Sequence, residues 1–332
     1  VSWRILLEDL VAVYQQLTQE QPVKLPPKTT SYQDWAKQLL NYSHRKQEEI
    51  PPYLPFSKGG NSNQVSLPMD YPTINNNTVA SSDRVCITLS LEQTHALQEE
   101  VSAAYHAYIN EVLLAALTQS ICQWTGQRSL VIDLEGHGRE DLFEGVNLSR
   151  TVGWFTAIFP VGLELNSLNS LAEVIKSVKE QFRRISKKGI DYGVLRYLKQ
   201  QSETQTPPEI NFNYLGQIDA IAAQGFILGL AKESVGWVRS PRGSRRYLIE
   251  ITGAIAQKQL QLTFTYSRQI HHRETVEALA QKVLATLDAF IVHCQSSNIG
   301  GHTPSDFASA NLSQKQLDQF LGKLKQSGKK LS

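Results

Sequence analysis

The sequence has few cysteines and no long apolar run. Its 332 residues contain three cysteines, Cys86, Cys122 and Cys294, an odd number at wide spacing. This pattern excludes a disulfide framework and a cysteine-type zinc site, and it is typical of the reducing cytoplasm. No apolar run approaches roughly 18 residues, the length that crosses a bilayer, so we expect a cytoplasmic protein without a membrane span. The GxGxxG, P-loop and HExxH motifs of dinucleotide, nucleotide triphosphate and zinc-protease sites are absent as well.

The sequence also has no large excess of positive or negative side chains. The chain has 33 Lys and Arg against 31 Asp and Glu, a formal net charge of +2. Such a balance predicts no nucleic-acid partner, because no strong field attracts one. The length indicates one or two domains. The chain begins at Val1 without a signal peptide, in a run that is typical of the middle of a domain, so we expect it to be part of a longer protein.

The periodicity of apolar residues predicts a mixture of helices and strands. An amphipathic helix is expected over Ser2–Gln19, and a second from about Ser31 to Glu49, followed by an irregular connection over 50–82. Further helices are predicted over 91–105, 109–125, 168–187, 272–295 and 313–325. Strands are predicted over 85–89, 129–134, 154–165, 209–214, 247–256 and 259–266. This order indicates an α/β or α+β fold with one sizeable sheet.

The segment after the second predicted strand concentrates ionisable groups. Four such side chains fall within six residues: Glu135, His137, Arg139 and Glu140. Gly136 and Gly138 allow the chain to turn tightly and a substrate to approach the backbone. Strand ends that face a cleft commonly carry catalytic side chains. The alternative interpretation is a charged surface turn.

Two later segments and one basic loop are ambiguous. Gly153, Trp154 and Phe155 open an apolar strand, where they line a pocket or, as the pattern favours, belong to the core. Alternation over 210–217 places Asn211 and Asn213 on one face and turns Tyr214 to the other, unless the strand ends there. The loop with Arg239, Arg242, Arg245 and Arg246 either is solvated or meets a phosphate or an acidic partner.

These segments, in this order, resemble the signature motifs of epimerization domains of nonribosomal peptide synthetases. The motifs are EGHGRE at Glu135–Glu140, RTVGWFTAIFP at Arg150–Pro160 and FNYLG at Phe212–Gly216. Two more runs are similar to family motifs but depart from them: Asp191 stands where glycine is usual, and Glu111 lies near a usual aspartate. The superfamily also contains condensation domains and chloramphenicol-acetyltransferase-like acyltransferases.

The resemblance implies a chloramphenicol-acetyltransferase-like lobe, with a mixed sheet flanked by helices, over 83–297. Residues 1–82 would be the remnant of an N-terminal lobe and the crossover, and 298–332 a linker and short helix towards the next domain. The implied reaction is L-to-D epimerization at the α-carbon of an aminoacyl or peptidyl thioester. The 4′-phosphopantetheine arm of an upstream peptidyl carrier domain would present this thioester. A downstream condensation domain or partner synthetase is the other implied partner, and no metal or directly bound cofactor is implied.

The resemblance also implies roles for individual residues. Glu135 would be the acid/base group on one face of Cα, which requires burial to raise its pKa towards neutrality. Arg139 would orient Glu135 or offset its charge, and Asn213 and Tyr214 would line the site and hold the thioester or enolate. Three more residues are implied along the substrate tunnel: His137, Gly153 and Trp154.

The start of the chain bears on activity. Val1–Leu6 resembles the run that directly follows the family's HHxxxDG motif, whose second histidine is the other catalytic group and would precede Val1. We therefore expect that the 332 residues alone do not epimerize. Two alternatives remain: a catalytically idle docking or scaffolding module, which would use the helix near 312–324 or the arginine loop, and a condensation domain, which EGHGRE disfavours.

Overall fold

A computed structural model describes residues 1–45, 66–71, 77–199, 207–218, 233, 235–295, 300–310 and 312–326. Much of the predicted connection over 50–82 and the predicted boundary at 297/298 lie outside these residues.

Six strands of the described residues form one mixed sheet. They are β1 (Ser82–Thr88), β2 (Ser129–Gly136), β3 (Ala157–Glu164), β4 (Ile210–Gln217), β5 (Ile249–Ala256) and β6 (Gln259–Ser267). Their order across the sheet is β1-β6-β5-β4-β2-β3. Strand β4 runs parallel to β2 and β5, and the other neighbours are antiparallel. The predicted mixed sheet is therefore confirmed.

Helices precede, separate and follow the strands. They are α1 (Ser2–Thr18), α2 (Tyr32–Arg45), α3 (Leu91–Ala96), α4 (Ser102–Tyr105), α5 (Ile109–Thr125), α6 (Leu171–Arg183), α7 (Ile190–Gly193), α8 (Arg273–Gln295) and α9 (Gln314–Gln326). A π-helical turn, Leu97–Val101, joins α3 to α4, and a second, Val194–Leu198, follows α7. None of the helices in the described ranges is long and apolar enough to cross a membrane.

The two faces of the sheet differ in chemistry. One face packs against α5 and α8 and contributes Leu134, Phe212, Ile251 and Phe264 to the main core. The other face is polar, because side chains alternate along a strand. It carries carboxylates and amides on three neighbouring strands: Asp133, Glu135, Asn211, Asn213 and Glu250. This polar face positions the candidate site.

Most element boundaries lie close to the predictions, with instructive exceptions. The strand predicted from Trp154 begins at Ala157 and contains Pro160. A proline is tolerated there because β3 is an edge strand. The N–H that proline lacks is therefore not needed for a hydrogen bond to a neighbouring strand. The β5–β6 hairpin turns at Gln257 and Lys258, whose φ angles of 51° and 62° are the left-handed pair of a type I′ turn.

Helix α1 does not bury the apolar stripe that its sequence predicts. Trp3, Leu10 and Tyr14 are exposed, whereas Ile5 is buried. Arg150 holds the helix to the lobe through ion pairs with Glu8 and Asp9. The contact between α1 and the lobe is therefore largely polar.

Residues 300–307, predicted as a linker, pack onto the lobe. Lys179 on α6 is fully buried and lies 2.8 Å from the Asp306 carboxylate. Arg183 lies 2.8 Å from Asp306 and 2.7 Å from Glu111, which is buried at the start of α5. We call these four residues, Glu111, Lys179, Arg183 and Asp306, the tail clamp.

Candidate active site

Glu135 lies at the carboxyl end of β2 on the polar face of the sheet. Its Oε2 accepts a hydrogen bond of 2.8 Å from the Asn213 side-chain amide on β4. The two residues meet because β2 and β4 are parallel and in register, with Leu134 opposite Phe212. Two of the residues that the sequence implicates therefore lie in direct contact.

The surroundings of Glu135 favour its protonated form. Burial is the largest effect, and it raises the pKa of the carboxyl above its ordinary value. The negative charges of Glu250 and Asp133 act in the same direction, while a hydrogen bond from Asn211 and the charge of Arg239 oppose them. A carboxyl in this environment is suited to take up and release a proton closer to neutral pH.

Asp133 is a further residue of the candidate site, and no sequence motif indicates it. It precedes Glu135 by two positions on the same face of β2 and is only 1% exposed. Its Oδ2 accepts hydrogen bonds from the Tyr247 hydroxyl at 2.7 Å and from Arg246 at 3.0 Å. Period-two alternation from Glu135 was the signal that would have identified it.

Gly138 fixes the path of the loop after β2. Its φ is +67°, and a Cβ atom there would lie 1.6 Å from the carbonyl oxygen of Phe155. Only glycine fits this position without a shift of the backbone. His137 is an exposed part of this loop, where its Nδ1 accepts from the Arg139 N–H and its Nε2 lies 3.2 Å from Glu140.

Arg139 lies away from Glu135, contrary to the role that the resemblance implies. Its guanidinium stacks 4.1 Å from the Phe155 ring centroid and donates to the Leu148 carbonyl and the Ser2 hydroxyl. Among the described residues it makes no contact with Glu135, because the chain turns at Gly138 before Arg139. Its observed role is to hold α1 and the loop over 148–155 together.

Tyr214 lies on the opposite face of the sheet from Glu135 and Asn213. It packs with Phe212 over Gly253, where its Cδ2 is 3.2 Å from the position of a Cβ on that glycine. Burial raises the pKa of its hydroxyl. This orientation follows the alternation along β4, so the structure does not bring Tyr214 to the site that the resemblance implies.

Gly153 and Trp154 form the contact between the loop over 148–155 and α2. A Cβ on Gly153 would lie 2.4 Å from the Tyr32 ring, and the Tyr32 hydroxyl donates to the Trp154 carbonyl at 2.7 Å. The Trp154 side chain is 79% exposed. Phe155 is buried with Trp35 in a second, smaller core, as the core interpretation predicts. No described residue encloses Trp154 in a tunnel.

The arginine loop divides into inward and outward side chains. Arg245 is buried and bonded to Glu250 at 2.8 Å, and Arg246 pairs with Asp133. Arg239 and Arg242 are exposed. The loop is therefore not simply solvated, since half of its arginines neutralise carboxylates of the polar face. In the described ranges, no three His, Cys, Asp or Glu side chains are grouped as metal ligands.

Comparison with known proteins gives the family. The model of the condensation domain matches residues 1–313. The chain belongs to the condensation domain family. A linear gramicidin synthase of Brevibacillus parabrevis is 44% identical over 97% of the chain, and gramicidin S synthase 1 of Brevibacillus brevis is 35% identical over 98%. The chain spans 4% and 31% of these two relatives. Its relatives are nonribosomal peptide synthetases, so it is a condensation-type domain of that class.

A solved epimerization domain shares the fold. The domain from the third module of tyrocidine synthetase B superposes with a TM-score of 0.79 at 35% identity. The match covers 88% of this chain and 66% of that structure. The X-domain from teicoplanin biosynthesis, with a TM-score of 0.63 at 17% identity, shares the fold alone. The predicted chloramphenicol-acetyltransferase-like fold is thereby confirmed.

Proposed function

We propose that this domain epimerizes the α-carbon of an aminoacyl or peptidyl thioester carried on a phosphopantetheine arm. The observation that carries the proposal is Glu135, a half-buried carboxyl at a strand end that accepts a hydrogen bond from the Asn213 amide and whose pKa is raised, chiefly by burial. The 35% identity with a solved epimerization domain supports epimerization over peptide-bond formation. Synthetases among the relatives support a carrier domain as the partner.

The chemistry requires one proton transfer on each face of Cα. A base removes the α-proton, the C–H electron pair moves into the thioester to give an enolate, and an acid returns a proton to the opposite face. Glu135 serves one of these faces, since a raised pKa lets a single carboxyl act as base when ionised and as acid when protonated. The Asn213 hydrogen bond to Oε2 fixes the orientation of the carboxyl during both steps.

The role of Glu135 is tested by the Glu135→Gln variant, measured with the chain in its native synthetase. An L-aminoacyl carrier domain is supplied, and deuterium uptake at Cα and the D-isomer content are followed in D2O. We expect exchange to fall by about 10²–10⁴-fold, the range for loss of a general acid/base group. Exchange that stays at the wild-type rate would exclude Glu135 from the reaction.

Glu140→Gln is the matched control for this variant. Glu140 belongs to the same loop but pairs with His137 and Lys188. Its variant is expected to keep most of the exchange. Wild-type protein that forms a peptide bond without exchange would instead identify a condensation domain, and protein with neither activity would identify a scaffold.

A further inference from the structure

Asp133 precedes Glu135 by two residues on β2, so its side chain lies on the same face of the sheet. Two residues along a strand span roughly 6.5 Å, so the two carboxyls face the same side at close range. Pro160 on β3 and Asn211 on β4 are the register partners of Asp133. Neither partner brings a charge, and Asp133 is buried at 1% exposure.

Burial raises the pKa of the Asp133 carboxyl, whereas the hydrogen bond from Tyr247 and the charges of Arg246 and Arg196 lower it and favour the ionised form. Its Oδ2 accepts from the Tyr247 hydroxyl at 2.7 Å and from the Arg246 guanidinium at 3.0 Å. A buried carboxylate persists where charged and hydrogen-bonding partners compensate its desolvation. Arg246 is itself 41% exposed, so water screens its charge while Tyr247 remains buried.

The negative charge of an ionised Glu135 would not be compensated to the same extent as that of Asp133. Asn213 and Asn211 supply neutral amides, and none of the cations in the described ranges lies within salt-bridge distance of it. The charged and titratable groups that act on it are Asp133 on β2, Glu250 on β5 and Arg239 in the arginine loop. Tyr247 and Arg196, in the π-helical turn after α7, act on Asp133, and the charge of Asp133 acts in turn on Tyr192. Tyr247 is also coupled to Glu135.

We propose that Asp133 is a positioning residue that acts on Glu135 through its buried negative charge, which Arg246 and Tyr247 hold in place. This inference rests on the proposed epimerization. The negative charge disfavours a second negative charge two residues along the strand, so Glu135 retains its proton to higher pH. Asp133 does not touch the reacting atoms in this arrangement, and its effect passes entirely through Glu135.

The test is a titration of Glu135 in the 332-residue chain labelled with ¹³C-glutamate. The signal of Glu135 is identified by its loss in Glu135→Gln. In Asp133→Asn, which removes the charge but keeps the shape, we expect the pKa of Glu135 to fall. In Asp83→Asn, a matched aspartate of β1 that pairs with Arg273, we expect no change, since its charge is not among those that act on Glu135.

A second variant keeps the test decisive if Asp133→Asn does not fold. Tyr247→Phe removes one donor to Asp133, so Asp133 takes up its proton at higher pH and loses part of its negative charge. We expect the pKa of Glu135 to fall by less than in Asp133→Asn. An unchanged titration of Glu135 in the folded variants would overturn the proposal.

The pH profile of α-proton exchange distinguishes a failure of this inference from a failure of the proposed function. In the native synthetase, the limb of the exchange-against-pH profile that belongs to Glu135 should move to lower pH in Asp133→Asn and stay in place in Asp83→Asn. A shifted Glu135 titration without exchange in the wild type would overturn the function but leave the coupling. Exchange that depends on Glu135 but not on Asp133 would overturn the coupling but leave the function.

Discussion

The described residues contain two buried clusters of charged side chains, and the carboxyls of the two clusters differ in how far cations compensate their charge. In the tail clamp, two cations meet two carboxylates: Lys179 and Arg183 bind Asp306, and Arg183 also binds Glu111. On the polar face of the sheet, Arg246 and Arg245 pair with Asp133 and Glu250, whereas Glu135 accepts a hydrogen bond from an amide and has no cation within salt-bridge distance among the described residues. Burial therefore has opposite outcomes for the two carboxyls that matter most.

The direction of each pKa expresses this difference. Burial alone would raise the pKa of Asp306, but the hydrogen bonds from Lys179 and the Thr303 N–H, with the Lys179 charge, lower it. Burial raises the pKa of Glu135, and the nearby carboxylates add to the rise. Paired carboxyls stabilise a fold, whereas a buried carboxyl without a cation is available for proton transfer. In this protein, Asp306 is the carboxyl whose partners outweigh its burial, and Glu135 is one whose partners do not.

The largest effect on stability is expected from breaking the tail clamp. Lys179→Met removes one of the two cations that pair with Asp306 and leaves only Arg183. Removal of one partner of a buried ion pair costs about 3–5 kcal/mol in the free energy of unfolding. The free energy of unfolding in urea measures this loss. Lys282→Met on α8, where the lysine is exposed, should change it by less than about 0.5 kcal/mol. Equal values for the two variants would contradict a structural role of the clamp.

A smaller effect is expected at the amide that holds Glu135. Asn213→Leu removes the hydrogen bond to Oε2 and leaves the strand intact. We expect exchange at Cα to fall by about tenfold, since a bond of this kind contributes about 1 kcal/mol or more. The rate of deuterium uptake in the native synthetase is the measurement. A rate equal to that of the wild type would show that the amide does not orient the carboxyl.

Arg139 lies outside both clusters and tests whether Glu135 depends on groups beyond the polar face. Arg139→Lys loses the flat stack on Phe155 and the paired donation to Leu148 and Ser2. We expect a loss of about 1 kcal/mol in the free energy of unfolding, with the titration of Glu135 unchanged. A shifted Glu135 titration in this variant would support the role at Glu135 that the resemblance implies.

The smallest effect is expected in how the free energy of unfolding depends on pH, because Asp306 and Glu135 contribute to it in opposite directions. The pKa of Asp306 is lowered on folding, so its stabilisation is present above its ordinary pKa of 3.8 and is lost as the pH falls below it. The pKa of Glu135 is raised, so its contribution is present below its ordinary pKa of 4.5 and is lost as the pH rises through the folded value.

Two variants separate these contributions in unfolding experiments at about pH 4 and about pH 7. Asp306→Asn should cost more stability at neutral than at acidic pH, because the ionised Asp306 is the form that the clamp stabilises. Glu135→Gln should gain stability relative to the wild type as the pH rises, because the glutamine carries no buried charge. Parallel curves for the two variants would show that the clusters do not differ.

Much of this fold is predictable from the sequence, because alternation and helical period record which side chains are buried. The same alternation predicted that Tyr214 points away from Asn213, and the structure agrees with it. What the sequence does not record is pairing over long distances. Asp306 meets Lys179, and Arg139 meets Ser2, only after distant segments pack together.

The apolar stripe of α1 is a second feature that the sequence alone does not predict correctly. Its apolar residues predict a buried face, but Trp3 is 75% exposed and polar contacts through Ser2 and Arg150 hold the helix instead. In the candidate site, motifs mark Glu135 and Asn213 in the sequence. No motif marks Asp133, which only the period-two alternation from Glu135 along β2 would have indicated.

Glu135 is a half-buried carboxyl that, among the described residues, has no cation within salt-bridge distance. The most direct measurement is the ¹³C titration of Glu135 in the 332-residue chain, with Glu135→Gln as the assignment control. We expect the pKa of Glu135 to lie above the ordinary value of 4.5. A pKa at or below that value would contradict it, because Glu135 would then be a paired carboxylate like Asp306.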